Sequence, residues 1–362
     1  MSLLKCSSVF KAFGNIEALC DVSIDVNPGD ILAVVGESGC GKTTLLRAIA
    51  GFETIDNGEI NIKGQTVSSD QIHVLPENRN LGMVFQEYSL FPHMNVESNI
   101  IFGLRSYDSI EKKNRVKEVL DLVRLPGYEN RYPHELSGGQ QQRIALARSL
   151  APNPTLMLLD EPFSNLDSVN RVDMLNDLQS IIRDSQMATI LVTHDKEEAF
   201  SVADNLAVMV DGKINQYDKP NEIYFYPKNY KVAKLVSNAE FISGNVNNGV
   251  VDCFLGSFPY FDSTGQIDSK SEVTVMIRFG DFRAVYDPNG NFFVTSIEFK
   301  GSNYIVTVKS FKGATYIKSV ESLDTNLTIN SKVNLVPVNS DPLLVFPKIS
   351  EALLTKGNIN KG

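Results

Sequence analysis

The stretch "GDILAVVGESGCGKTTLLRAIAGFE", residues 29–53, decides how this chain folds. Its segment "ILAVV" is a short aliphatic and β-branched run, as expected of a strand covered on both faces. "GESGCGKT" follows at once and fits G-x-x-x-x-G-K-[ST] at each fixed position: Gly36, Gly41, Lys42 and Thr43. The glycines let the backbone curl until its N–H groups surround a phosphate. A helix starting at Lys42 adds the positive end of its dipole. Lys42 is placed to reach the β- and γ-phosphates of a nucleotide, and the Thr43 hydroxyl to hold Mg²⁺. Gly51 offers a C-cap to that helix.

Two more buried strands fit beside the first. "TLMLLD" (155–160) and "ATILVT" (188–193) are apolar runs, and helical patterns precede them, "QQQRIALARSLA" and "RVDMLNDLQSIIRDS". Strands alternating with helices predict a parallel α/β sheet. Polar residues sit just past the C-terminal ends of all three strands, where open parallel sheets place their ligands. Asp160 ends the second strand and can hold the metal, and Glu161 can orient and deprotonate an attacking water. His194 closes the third strand, where an imidazole can bridge the γ-phosphate and that carboxylate. Gln86, in "VFQEYSLFPHMNV" (84–96), offers a neutral amide that contacts metal and water without adding charge.

Composition limits the remaining options. The 362 residues allow two or three domains, and no run of about 18 apolar residues could span a bilayer. The opening "MSLLKCSSVFKAFG" lacks the apolar core of a signal peptide. Four scattered cysteines fit a reducing cytosol. The net charge of −9 lies in residues 1–240, since positions 241 onward hold 11 Lys+Arg and 11 Asp+Glu. An acidic chain without basic clusters predicts no nucleic-acid partner. Residues 88–150 read as a helical insertion that includes "SIEKKNRVKEVLDLVRL". Beyond about 235, "SEVTVMIRF", "NFFVTSIEF" and "NYIVTVKSF" alternate polar with β-branched or aromatic residues. That pattern predicts a small all-β, barrel-like domain.

Together these residues resemble the ATPase subunit of ABC transporters. "GESGCGKTT" is similar to the family's Walker A, "LMLLDEP" to Walker B, "VFQ" to its Q-loop, "SNLD" (164–167) to its D-loop and "VTHD" to its H-loop. "LSGGQQQR" (136–143) resembles the sequence that distinguishes ABC proteins from other P-loop ATPases. The resemblance implies an α/β P-loop NTPase core of the ABC type over residues 1–235. A β-stranded, OB-like regulatory domain follows over 236–362. It implies an ATP site of Phe13, Gly36, Glu37, Ser38, Gly39, Cys40, Gly41, Lys42, Thr43 and Thr44, with Phe13 stacking on the adenine near Ala18. The same resemblance makes Thr43, Gln86 and Asp160 the Mg²⁺ residues and Glu161, His194 and Gln86 the catalytic ones. The positive field of the phosphate loop is expected to favour the Cys40 thiolate.

The family resemblance also accounts for the presence of two glycine-rich loops. It implies a head-to-tail dimer of two copies that encloses two ATP molecules. Each ATP is held by the Lys42 loop of one copy and by Ser137, Gly138, Gly139 and Gln140 of the other, with Asp167 coupling the two sites. Segment 87–99 is expected to meet the transmembrane permease, and through it a solute-binding protein. The chain is thereby expected to lie peripherally on the cytoplasmic face of the bacterial inner membrane. Segment 246–261, "VNNGVVDCFLGSFPYF", is similar to the start of the tail in ferric-iron importers, with polyamine importers as the alternative. Where relatives often have "IRPE", this chain has "IRFG" at 277–280.

Overall fold

Every residue of the strand Leu156–Asp160 is buried, and successive side chains enter different cores. Leu156 and Leu158 join one apolar cluster, Met157 and Leu159 another. A strand covered on both faces needs apolar residues at every position, which is why the run shows no alternation. Each such leucine contributes about 2 kcal/mol on burial.

The computed structural model describes residues 2–104, 107–164, 168–311, 316–322 and 325–349, with the side chains at 168–170 and 172–174 excepted. The chain divides into two compact units, Met1–Phe225 and Tyr226–Gly362.

The first unit opens with β1 (Leu4–Phe13), β2 (Ile16–Val26) and β3 (Ile31–Val35), then α1 (Lys42–Ala50). β4 (Asn57–Ile62), β5 (Gln65–Ser68) and β6 (Leu81–Val84) come next. Three helices follow: α2 (Val96–Ile101), α3 (Ser109–Leu122) and α4 (Gly138–Leu150). The unit ends with β7 (Leu156–Asp160), α5 (Ser168–Ser185), β8 (Ala188–Thr193), α6 (Lys196–Val202), β9 (Asn205–Val210), β10 (Lys213–Asp218) and α7 (Pro220–Phe225).

The main sheet has the order β10-β9-β3-β8-β7-β6. The strands from β9 to β6 are parallel, and β10 is an antiparallel edge. The three strands read from the sequence therefore lie side by side. One face packs against α1 and a four-stranded antiparallel sheet, β2-β1-β4-β5, which the sequence reading did not anticipate. The other face packs against α2, α3, α4 and α5.

Local sequence accounts for the helix ends that matter. α1 starts at Gly41, whose φ of 109° a side chain would disfavour, and stops at Gly51, with φ 88°. The buried Arg79 donates to the carbonyls of Ala48 and Ile49 at the end of α1, and to those of Val67 and Val74. A cation there complements the negative end of the helix. α4 starts with a capping box: Ser137 Oγ accepts from Gln140 N, and Gln140 Oε1 accepts from Ser137 N.

The second unit starts with α8 (Tyr230–Val236). Five strands close a barrel: β11 (Ala239–Asn247), β12 (Val250–Cys253), β13 (Gly256–Asp262), β14 (Glu272–Arg278) and, from the far end of the chain, β20 (Leu343–Pro347). β15 (Phe282–Tyr286), β16 (Phe292–Phe299), β17 (Tyr304–Ser310), β18 (Tyr316–Glu321) and β19 (Lys332–Pro337) form a separate sheet. The barrel's Val251 and Val275 share a core with the sheet's Val294 and Val306. The barrel expectation thus holds for half of this unit, and the other half is an open sheet against it. The units part at Phe225/Tyr226 rather than near 235. Helix α8 belongs to the second unit because its Ala233 packs against Met276, Leu344 and Phe346.

Candidate active site

Lys42, Thr43, Asp160, Glu161 and His194 come together at the C-terminal ends of β3, β7 and β8. The phosphate loop has little freedom of its own. A Cβ on Gly36 would collide with the Met209 carbonyl and the Cys40 sulfur, and one on Gly41 with the Ala18 carbonyl. Ala18 thus lies against the base of the loop. Glu37, Ser38 and Gly39 form its exposed tip, and Thr44 is half-buried. Lys42 is only 4% exposed, and its ammonium donates to the carbonyls of Gly36 at 2.8 Å and Glu37 at 3.0 Å. The cation is curled into the loop that should hold phosphate.

Thr43 Oγ1 donates to Asp160 Oδ1 at 3.2 Å, across from α1 to the end of β7. Burial raises the Asp160 carboxyl above the usual carboxylate range. The Thr43 hydrogen bond opposes that rise, the neighbouring charge of Glu161 adds to it, and Lys42 and Arg47 oppose it. A buried carboxylate and a hydroxyl facing each other are hard oxygen donors of the kind Mg²⁺ takes.

Glu161 is held in the left-handed region, with φ 45°, and its N–H donates to the Val192 carbonyl at 2.9 Å. A non-glycine residue kept there carries backbone strain, which concentrates at working sites. Its Oε2 lies 3.1 Å from His194 Nδ1. Against an ionised carboxylate, which only accepts, that contact has Nδ1–H as donor and leaves Nε2 outside it. Gln86 is exposed just beyond the end of β6.

Phe13 is 46% exposed at the tip of the β1–β2 hairpin, with the Lys11 ammonium 5.3 Å from its ring centre. It is not a core residue, and its ring is open to stack. Ser137 and Gly138 are exposed at the head of α4, and Gly139 has open space around it. Among the described residues no hydrogen bond joins the Ser137–Gln140 group to the cluster around Lys42. Asp167 and Asn165 lie outside the described residues.

The Cys40 expectation needs correction. Burial raises the thiol pKa, and this exceeds the opposing pull of the Lys42 charge. The loop is packed closely enough that desolvation outweighs its positive field, so the thiol stays protonated at neutral pH.

Motif reading missed the residues that hold this site in place. Asp177 on α5, 8% exposed, pairs with both Arg124 and Arg143, the latter in "LSGGQQQR". The fully buried Asn99 accepts from Phe91 N and donates to the carbonyls of Phe91, Met94 and Asn95. Arg148 donates to the carbonyls of Tyr88 and Ser89. Arg143 falls in "LSGGQQQR" and Asn99 ends the segment 87–99, though neither was read for the bonds it makes. For the others the sequence carries no mark, because their acceptors are backbone carbonyls or a lone aspartate far along the chain.

A phosphate loop after a central parallel strand, facing an acid pair two strands away and a histidine on the strand between, defines a P-loop NTPase. The family model described as ABC transporter matches residues 19–164. The Fe(3+) ions import ATP-binding protein FbpC 2 of Haemophilus influenzae is 39% identical over 307 residues, covering 83% of this chain and 85% of that protein. The spermidine/putrescine import ATP-binding protein PotA of Oleidesulfovibrio alaskensis is 40% identical over 308 residues, covering 82% of this chain and 81% of that one. A solved ATP-binding cassette, dimeric in a post-hydrolysis state with ADP and Pi, is 30% identical with a TM-score of 0.53, covering 60% of this chain and 98% of its own. The chain belongs to the family of ATP-binding subunits of ABC importers, and it is an ATPase. No helix among the described residues is long and apolar enough to cross a membrane.

Proposed function

We propose that this chain powers ferric-iron uptake, with two copies closing on two ATP molecules beneath a separate permease. The observation that carries the chemistry is the line Lys42, Thr43, Asp160, Glu161 and His194 across three adjacent strand ends. Lys42 exchanges its two loop carbonyls for phosphate oxygens when ATP enters, while loop N–H groups take the rest of the charge. Thr43, Asp160 and Gln86 would hold Mg²⁺, which would supply positive charge to the phosphates. Glu161 accepts a proton from the attacking water. His194, fixed by its Nδ1 bond to Glu161, keeps that carboxylate aimed and meets the γ-phosphate through Nε2 when the ring is protonated. Phe13 stacks on the adenine.

The head of α4 completes the site in the partner copy. Ser137, Gly138, Gly139 and Gln140 offer N–H groups at a helix N-terminus and bind the γ-phosphate held by the other copy's Lys42 loop. ATP then joins the two copies, and hydrolysis releases them. Segment 87–99 transmits that closure to the permease on the cytoplasmic face of the membrane.

Identity to the iron and polyamine relatives is nearly equal, so the choice of cargo rests on segment 246–261, which forms β12 and parts of β11 and β13. Uptake of radiolabelled ferric iron in an iron-starved deletion strain tests it. Uptake restored by wild type and not by Lys42→Ala supports iron. Unchanged uptake on deletion, in a strain without another iron route, removes iron and makes labelled spermidine the next assay.

A further inference from the structure

We propose that Arg148 is a positioning residue that ties the loop carrying Gln86 to the helix headed by Ser137, so that the two halves of the ATPase site move as one. The proposal rests on the reading of Gln86 and Ser137 given above.

Arg148 lies in the last turn of α4, at the opposite end from Ser137. Its guanidinium reaches back over the segment that follows Gln86. Nη1 donates to the Ser89 carbonyl at 2.7 Å, Nη2 donates to the Tyr88 carbonyl at 3.0 Å, and the group stands 5.5 Å from the centre of the Phe91 ring. Both clamped residues are unusual: Tyr88 has φ 55° and Ser89 has φ 49°. Two consecutive side-chain-bearing residues in the left-handed region are costly, and such a turn persists only where its surroundings over-determine it. The fork of Arg148 supplies that determination, because a planar guanidinium can bridge two successive carbonyls where an ammonium is a single point charge.

The same end of α4 is fixed to β6 independently, since Ser149 Oγ donates to the Met83 carbonyl at 2.8 Å. From the other side Asn99 ties Phe91, Met94 and Asn95 into one turn, and the Phe91 ring packs at 4.6 Å on Phe102. The stretch from Tyr88 to Asn95 is therefore a braced body; the Arg148 fork hydrogen-bonds it to α4, and Tyr88 shares the apolar cluster of Ile144 and Leu146. A displacement of that body bends the strained turn next to Gln86 and pulls on α4. A helix is stiff, so the pull reaches Ser137 as a rigid tilt.

The test compares Arg148→Lys and Arg148→Ala in the full chain with Gln86→Ala and Ser137→Arg. Turnover is measured against ATP concentration, and affinity with a fluorescent ATP analogue. Arg148→Ala should lower kcat about tenfold, as misplacement by a distant substitution does. Analogue affinity should stay within about twofold, because the Lys42 loop is untouched. Arg148→Lys should fall between wild type and Ala, and it carries the test if the alanine variant fails to fold. Hydrogen exchange gives a second readout: amides 88–91 should exchange faster in the variants, and protection of amides 137–140 by ATP should be lost.

Turnover within about twofold of wild type in both Arg148 variants overturns the proposal. So does a parallel loss of kcat and analogue affinity, which marks a purely structural residue, and so does ATP protection at 137–140 that survives the substitution. If Gln86→Ala and Ser137→Arg are themselves silent, the underlying reading of the site fails and takes the proposal with it. If they are impaired while the Arg148 variants are normal, the proposal alone fails.

Discussion

His194 Nδ1 lies 3.1 Å from Glu161 Oε2, joining the ends of two adjacent parallel strands. Glu161 is itself held in a left-handed conformation by its place between the Val192 carbonyl and the turn to Ser164. Glu161 is thus fixed in direction, and the half-exposed His194 is oriented by its bond to it. His194→Ala should therefore lower kcat by about a hundredfold, within the range of a lost acid–base partner, with little change in nucleotide affinity. Steady-state turnover at saturating ATP checks it. A variant that turns over at the wild-type rate would place the histidine outside the chemistry.

Ser137→Arg separates the two glycine-rich loops. The capping bonds of Ser137 are worth about 1 kcal/mol, too little for their loss to unfold the chain. Turnover should drop by about a hundredfold or more while a monomer still binds the fluorescent ATP analogue normally, since the Lys42 loop is intact. Normal turnover would contradict the placing of Ser137 against the partner's γ-phosphate.

The Cys40 thiol gives a pH-dependent test. Burial raises its pKa, so the reactive thiolate is scarce at neutral pH and grows only as pH rises past the range of an exposed thiol. Alkylation at Cys40, followed by peptide mapping, should therefore climb later on the pH axis than that of a small free thiol. ATP should slow it throughout. A rate already at its plateau near neutrality would mean that the Lys42 charge outweighs burial; equal labelling with and without ATP would separate the cysteine from the site.

Arg79→Met tests the anchoring of the C-terminal end of α1. Burial lowers the pKa of this guanidinium to about 10, which leaves it cationic at neutral pH. Removing it strands four carbonyl acceptors, two of them at the end of α1. A loss of about 2–4 kcal/mol in stability is expected, read as a lower denaturation midpoint. An unchanged midpoint would show that water replaces the guanidinium at no cost.

The buried parallel strands were legible because a strand covered on both faces must be apolar throughout, and β8 occupies the residues read for it, Ala188–Thr193. The phosphate loop was legible because its glycines answer to backbone collisions that no side chain could avoid. The antiparallel sheet of β1, β2, β4 and β5 went unread. Its strands are half-exposed, and bulges break their register between Cys6 and Lys11, which blurs the alternation. Segment 330–347 hid a further surprise, since β20 closes the barrel by pairing parallel to β13, far back in the chain. The residues that orient the site, Arg148, Asn99 and Asp177, act on backbone or on partners distant in sequence. Nothing local marks them.

The most direct measurement is the mass of the Glu161→Gln variant in solution with and without ATP, by gel filtration with light scattering. Removing the carboxylate leaves the nucleotide loops intact and blocks proton transfer from water, so ATP should persist in the site. The account predicts a monomer without nucleotide and a stable dimer with ATP, reversed to monomer when Ser137→Arg is added. A variant that binds ATP and stays monomeric would contradict the claim that the two glycine-rich loops of different copies close on one nucleotide.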